Sequence, residues 1–143
     1  MLRPVDEERP FPVSVRVFLV EDMVHMQGIV TELLAGVGDF RLAGASATEA
    51  EAKLWLSEHR GDWDLAIIDL VLDQGSGMGV VSHARSCAGA QGGRIVVFSD
   101  YASDGIRDHC LRLGADAVFL KSQTQEFMEY CSELGGLEAA TAP

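Results

Sequence analysis

The chain is short of positive charge. Eleven lysines and arginines face twenty-two aspartates and glutamates, a formal net charge of −11. Such a surplus repels phosphate backbones and anionic membrane surfaces over long range, so direct nucleic-acid binding is not expected. Cysteine is scarce as well. Cys87, Cys110 and Cys131 are odd in number and widely spaced, which argues against a disulfide framework and against a CxxC metal or redox site. Reduced, mostly buried thiols are expected instead. No uncharged apolar run is long enough to cross a bilayer. The first twelve residues carry Pro4, Pro10 and Pro12 among charged side chains and lack the apolar core of a secretory signal. They read as a flexible leader, and the cytoplasm is the expected location.

At 143 residues the chain has room for one hydrophobic core. The expected division is a leader over 1–12, one domain over 13–136 and a flexible tail over 137–143. Internal repeats and low-complexity blocks are lacking. What is present is an alternation of apolar runs and helical periodicities. Val13 to Val20 is valine-rich and turns abruptly acidic at Glu21-Asp22, the pattern of a buried strand with a charged tip. Met26, Ile29 or Val30, Leu33 and Val37 follow at helical spacing, with Gly36 and Gly38 as a stop. Phe40 to Ala45 is a weaker strand candidate. Ser46-Ala-Thr-Glu49 resembles a capping box, predicting a helix that turns Ala50 and Leu54 inward and ends near Gly61.

Leu65 to Leu70 is apolar apart from Asp69, as in a strand buried on both faces. Gly75, Gly77 and Gly79 suggest a loop before a helix marked by Val80, Val81, Ala84 and Cys87 or Ala88, which Gly92-Gly93 breaks. Arg94 to Phe98 predicts another inner strand, tipped by Ser99-Asp100. Ile106, Cys110 and Leu113 share a helical face closed by Gly114, and Ala117 to Leu120 is a last short strand delivering Lys121. Ser122-Gln-Thr-Gln125 is placed to cap a final helix whose inner face is Phe127, Cys131 and Leu134, stopped by Gly135-Gly136.

Five strands alternating with five helices predict an α/β fold: a doubly wound, five-stranded parallel sheet with helices on both faces, of the flavodoxin-like type. Right-handed crossovers put every strand C-terminus on one edge. Glu21, Asp22, Asp69, Ser99 and Lys121 therefore converge. An unpaired carboxylate in an apolar run is costly, so Asp69 is expected to meet a cation, a donor or water. Hard oxygen ligands suit Mg²⁺, which is usually held by one or two carboxylates plus substrate oxygens. Lys121 and Ser99 are placed to balance charge on a phosphoryl group, and Asp69 is the natural nucleophile.

These residues resemble the receiver domain of two-component response regulators. The resemblance rests on Glu21-Asp22, Asp69, Ser99 and Lys121 at successive strand ends, with Gly77 eight residues past Asp69 and Gly114-Ala115-Asp116 leading into the last strand. It spans roughly Val15 to Leu134. It implies that Asp69 accepts a phosphoryl group from a phosphohistidine on a sensor histidine kinase or a histidine phosphotransfer protein. It further implies Mg²⁺ bound directly by Asp22 and Asp69, by Glu21 through water, and by the main-chain carbonyl of Val71. Ser99 and Lys121 would contact the phosphoryl group. No output domain is expected after the final helix, so a stand-alone receiver would signal by contact with a downstream protein or by phosphorelay, and a homodimer is among the expected partnerships. In the family the first helix docks the phosphodonor, a role for which Met23, Val24 and Met26 are candidates beside their ordinary use as core or surface residues.

The chain departs from the family pattern at four places. Val118 stands where an aromatic switch residue is usual, with Phe119 one step later and therefore on the other face. Ser122 replaces a common proline, and Asp100 and Asp73 add carboxylates near the rim. Val118 and Asp100 motivate a competing reading, a receiver-like binding module independent of phosphorylation. An aspartate-nucleophile phosphatase is a third, but it calls for Asp-x-Asp and Val71 occupies the second position. Gly75, Gly77 and Gly79 are not followed by the Lys-Ser/Thr of a P-loop. His83 and Cys87 lie a helical turn apart with no second pair, and Trp55 and Trp63 are explained by packing.

Overall fold

A computed structural model describes residues 14–88 and 92–140, the last five as backbone. The expected leader over 1–12 and residues 141–143 of the expected tail lie outside the described residues. Five strands, β1 (Val15–Val20), β2 (Phe40–Ser46), β3 (Leu65–Ile68), β4 (Arg94–Ser99) and β5 (Ala117–Leu120), alternate with α1 (Val24–Ala35), α2 (Glu49–Glu58), α3 (Gly77–Ala88), α4 (Asp104–Leu113) and α5 (Thr124–Ala140). The strands form one sheet in the order β2-β1-β3-β4-β5 with every pairing parallel. The expected doubly wound α/β architecture is therefore present. The winding direction reverses between β1 and β3, which is where open sheets of this class carry their ligands, beyond the strand C-termini.

Alternation along the strands assigns side chains to the two faces. Phe18, Val20, Ala66, Ile68, Ile95, Val97 and Val118 pack with Ala52 and Leu56 of α2, Val80, Val81 and Ala84 of α3, and Cys110 of α4. Val17, Leu19, Leu65, Ile67, Val96 and Phe98 pack with Val30 and Leu34 of α1 and Phe127 and Cys131 of α5. Strands β1, β3 and β4 are apolar at nearly every position because both faces are covered. Edge strand β2 is mostly exposed, which explains its weak sequence signal.

Four sequence expectations are corrected. Helix α2 is capped by Thr48, whose side chain accepts from the Glu51 N–H at 3.1 Å, and not by Ser46. Moving the cap by two residues rotates the buried face to Ala52 and Leu56, leaving Leu54 59% exposed and Ala50 in solvent. Helix α3 begins at Gly77, so Gly77 and Gly79 belong to its first turn and not to a loop. The start of α5 is held by Gln123, whose side chain accepts from the Leu120 N–H at 2.8 Å, and by Thr124, which donates to the Lys121 carbonyl at 3.0 Å; Ser122 is exposed. Finally, α5 runs through Gly135 and Gly136 to Ala140. Glycine costs a helix about 1 kcal/mol relative to alanine without forbidding it, and at Gly135 a Cβ would sit 3.3 Å from the Phe40 ring. A small residue there leaves room for the Phe40 ring.

Candidate functional site

Strand β3 ends at Ile68, so Asp69 is the first residue past the sheet and not part of the strand. Its N–H donates to the Val20 carbonyl at 3.0 Å, continuing the β1–β3 ladder by one step. Glu21, just past β1, is fixed in the same way by donation to the Ser46 carbonyl at 3.1 Å. Both side chains are nearly enclosed, Glu21 at 2% and Asp69 at 6% exposure. Lys121, just past β5, reaches across the rim and bridges them: its Nζ lies 2.9 Å from Glu21 Oε1 and 3.0 Å from Asp69 Oδ2. The cation expected beside Asp69 is this lysine, 52 residues away in sequence.

Carboxylate oxygens of Glu21, Asp22 and Asp69 all lie within 4.8 Å of one another. Three carboxylates thus share the rim with one ammonium, which touches two of them, and two negative charges remain in excess in a largely buried setting. Burial pushes the Glu21 carboxyl above the ordinary carboxylate range, against the pull of the Lys121 ammonium and of the Met23 N–H at 3.1 Å. For Lys121, burial works against the charged form, but the bonds to Glu21 and Asp69 outweigh it and raise its pKa. The cluster is all hard oxygen, carries surplus negative charge and is half-open at Asp22. Those residues fit a small divalent cation such as Mg²⁺.

The remaining expected residues fall at the same rim. Ser99 closes β4 fully buried, its hydroxyl accepting from the Tyr101 N–H at 3.4 Å, while its carbonyl accepts from the Lys121 N–H at 2.8 Å. Val71, two residues past Asp69, donates its N–H to Asp69 Oδ1 at 3.3 Å and pairs as an isolated bridge with Ser76. Gly77 lies against this turn: a Cβ there would collide with the Asp69 carbonyl and the Leu70 Cα, so no larger residue fits. Its N–H donates to the Leu70 carbonyl at 2.9 Å.

Val118 is fully buried beneath α4, and its carbonyl accepts from Arg107 at 2.8 Å. Phe119 faces the opposite layer, edge-on to Phe127 and Tyr130. Sequence reasoning missed Gln27, whose side chain donates to the Glu21 carbonyl at 2.7 Å, and Glu49, which bonds the Ser76 N–H at 2.8 Å. Glu49 was legible only as a helix-start acid. His83 pairs with Ser57 at 2.8 Å, and among the described residues only the Glu21, Asp22 and Asp69 group has metal-ligand spacing. Trp55 stacks on Phe18 and His59, in keeping with a packing role.

Fold and rim together define an open α/β protein that gathers carboxylates and one lysine at its strand C-termini. The profile of the response regulator receiver domain matches residues 17–131, most of the chain, and the chain belongs to that family. Solved structures of similar fold include a two-component response regulator of the LuxR family from Aurantimonas sp. SI85-9A1, at 21% identity and TM-score 0.73, covering 90% of this chain and 87% of that one. A CheY-like receiver domain protein from Methanospirillum hungatei JF-1 shares 20% identity at TM-score 0.70, over 90% and 99% of the two chains. A chain of the CheX–CheY–BeF₃–Mg²⁺ complex from Borrelia burgdorferi shares 18% at TM-score 0.69, over 81% and 88%. At these identities the likeness establishes the fold. A comparison with curated protein sequences gives no match. Among the described residues no helix is long and apolar enough to cross a membrane.

Proposed function

We propose that this receiver domain is a signalling module that accepts a phosphoryl group on Asp69 from the phosphohistidine of a sensor histidine kinase or a histidine phosphotransfer protein. The observation that supports it most is the convergence of Glu21, Asp22, Asp69 and Lys121 with two uncompensated negative charges. Asp22 and Asp69 would hold Mg²⁺ directly, Glu21 through water, and the Val71 carbonyl would complete the protein's share. When bound, Mg²⁺ offsets the charge on the phosphoryl oxygens.

An Asp69 carboxylate oxygen forms a bond to phosphorus while the donor's P–N bond breaks. The leaving imidazole nitrogen keeps the electron pair and takes up a proton. Lys121, already on Asp69 Oδ2, follows the negative charge onto a phosphoryl oxygen. The Ser99 hydroxyl, which accepts from the Tyr101 N–H, has its own hydrogen to donate to another. Output then passes to a downstream protein by contact or by phosphorelay, in the cytoplasm.

Incubation with acetyl phosphate and Mg²⁺, read by intact mass, is the test. One added phosphoryl group is expected, abolished by Asp69→Asn or by chelation of the metal. An unlabelled chain under conditions that label another receiver would instead favour the phosphorylation-independent binding module that Val118 and Asp100 suggest.

A further inference from the structure

The turn that carries Val71 from Asp69 to α3 is held from outside by a single carboxylate. Glu49, at the first position of α2, reaches across to the β3–α3 connection and accepts from the Ser76 N–H at 2.8 Å, while its own N–H donates to the Gln74 carbonyl at 3.1 Å. Its other oxygen pairs with Lys53 at 2.7 Å, one helical turn on. Two glycines give the carboxylate its space. A Cβ on Gly75, where φ is +91°, would collide with the Glu49 side chain, and a Cβ on Gly79 would collide with its Oε2. Ser76 is the bridge partner of Val71, and Val71 donates to Asp69 Oδ1. A chain of direct contacts therefore runs from Glu49 through Ser76 and Val71 to Asp69.

We infer that Glu49 is a positioning residue for the cation site: by clamping Ser76 it fixes the turn that presents the Val71 carbonyl and the Asp69 carboxylate. The inference rests on the proposed Mg²⁺ and phosphoryl chemistry at Asp69. Glu49 touches neither the cation nor the phosphoryl group. It acts by keeping the turn in one geometry before the cation arrives, so its loss is felt in cation affinity more than in the rate once the cation is bound.

The experiment is calorimetric titration of the full chain with Mg²⁺ alone, together with acetyl phosphate labelling at limiting and saturating Mg²⁺. Glu49→Ala is expected to weaken Mg²⁺ binding about fivefold, the factor that one lost hydrogen bond is worth, with labelling restored at saturating metal. Glu49→Gln keeps an oxygen acceptor for Ser76 and is expected to stay within about twofold of the parent, as is Lys53→Ala, which leaves that bond in place. Gly79→Ala supplies an independent arm should Glu49→Ala unfold. It improves helix propensity yet displaces the carboxylate, so Mg²⁺ binding is expected to weaken although the fold does not. Unchanged Mg²⁺ affinity in folded Glu49→Ala or Gly79→Ala would overturn the inference and leave Glu49 a structural cap. A parent chain that binds Mg²⁺ as well after Asp69→Ala would instead remove the underlying site assignment, and the inference with it.

Discussion

Lys121 is the residue on which the charge balance of the rim depends. Its ammonium bridges Glu21 and Asp69 where each is nearly out of solvent, and removing one partner of such a buried cluster costs roughly 3 kcal/mol. Lys121→Ala is therefore expected to lower the unfolding midpoint in metal-free buffer. It also removes the positive charge that competes with an incoming cation for the same oxygens. Mg²⁺ should accordingly raise the melting temperature of Lys121→Ala by more than it raises that of the parent. Differential scanning calorimetry with and without Mg²⁺ checks both signs, and an equal metal-induced shift in the two proteins would contradict the account. The neighbouring position, Ser122, shows how a departure from the family pattern is absorbed. The turn that proline commonly stiffens is here bound by Gln123 and Thr124, which reach back to the main chain of Leu120 and Lys121.

At the scale of elements, β1 and β3 are tied at their N-terminal ends by Asp64, far from the rim. Asp64 accepts from the Arg16 main-chain N–H at 2.8 Å and from the guanidinium at 3.0 Å through both oxygens. Burial alone would raise the Asp64 pKa, but the Arg16 bonds outweigh it and the carboxyl sits below its ordinary 3.8. A depressed folded-state pKa means that the contribution is whole above the ordinary value and is lost as pH falls through the folded one. Asp64→Asn should thus lower the unfolding free energy from urea titration at neutral pH by about 1 kcal/mol or less for so exposed a pair. The difference from the parent should shrink below pH 4, and a difference that grows with acid would refute the assignment. The inner strands β1, β3 and β4 were legible because burial on both faces leaves a continuous apolar run, whereas β2 carries residues for one face only. The site residues were legible because parallel topology alone brings strand ends together. The phase of α2 was not, since Ser46 and Thr48 are both chemically able to cap and only packing chooses between them. Nor was the Glu49 clamp, because 27 residues separate it from Ser76 and no periodicity links them. Gly135 in α5 misled for a related reason: it lies against Phe40, a tertiary contact that local propensity does not show.

For the whole molecule, the formal charge of −11 acts on every encounter. A small anionic donor such as acetyl phosphate approaches against that field, and Asp100, exposed one residue past Ser99, adds to it at the rim. Raising salt shortens the Debye length from about 30 Å at 0.01 M to about 8 Å at 0.15 M. At saturating Mg²⁺ the labelling rate should therefore rise about two- to threefold over that range, and a falling rate would show that net charge does not govern approach.

The central claim is that side chains from separate strand ends form one cation site with Asp69 in it. Mn²⁺ shares the octahedral oxygen preference of Mg²⁺ and can be located by anomalous diffraction from soaked crystals. The account predicts a single strong peak in contact with the carboxylates of Asp22 and Asp69 and the Val71 carbonyl. A peak bound elsewhere, or a rim without a peak at saturating Mn²⁺ and Lys121 still bridging Glu21 and Asp69, would contradict it.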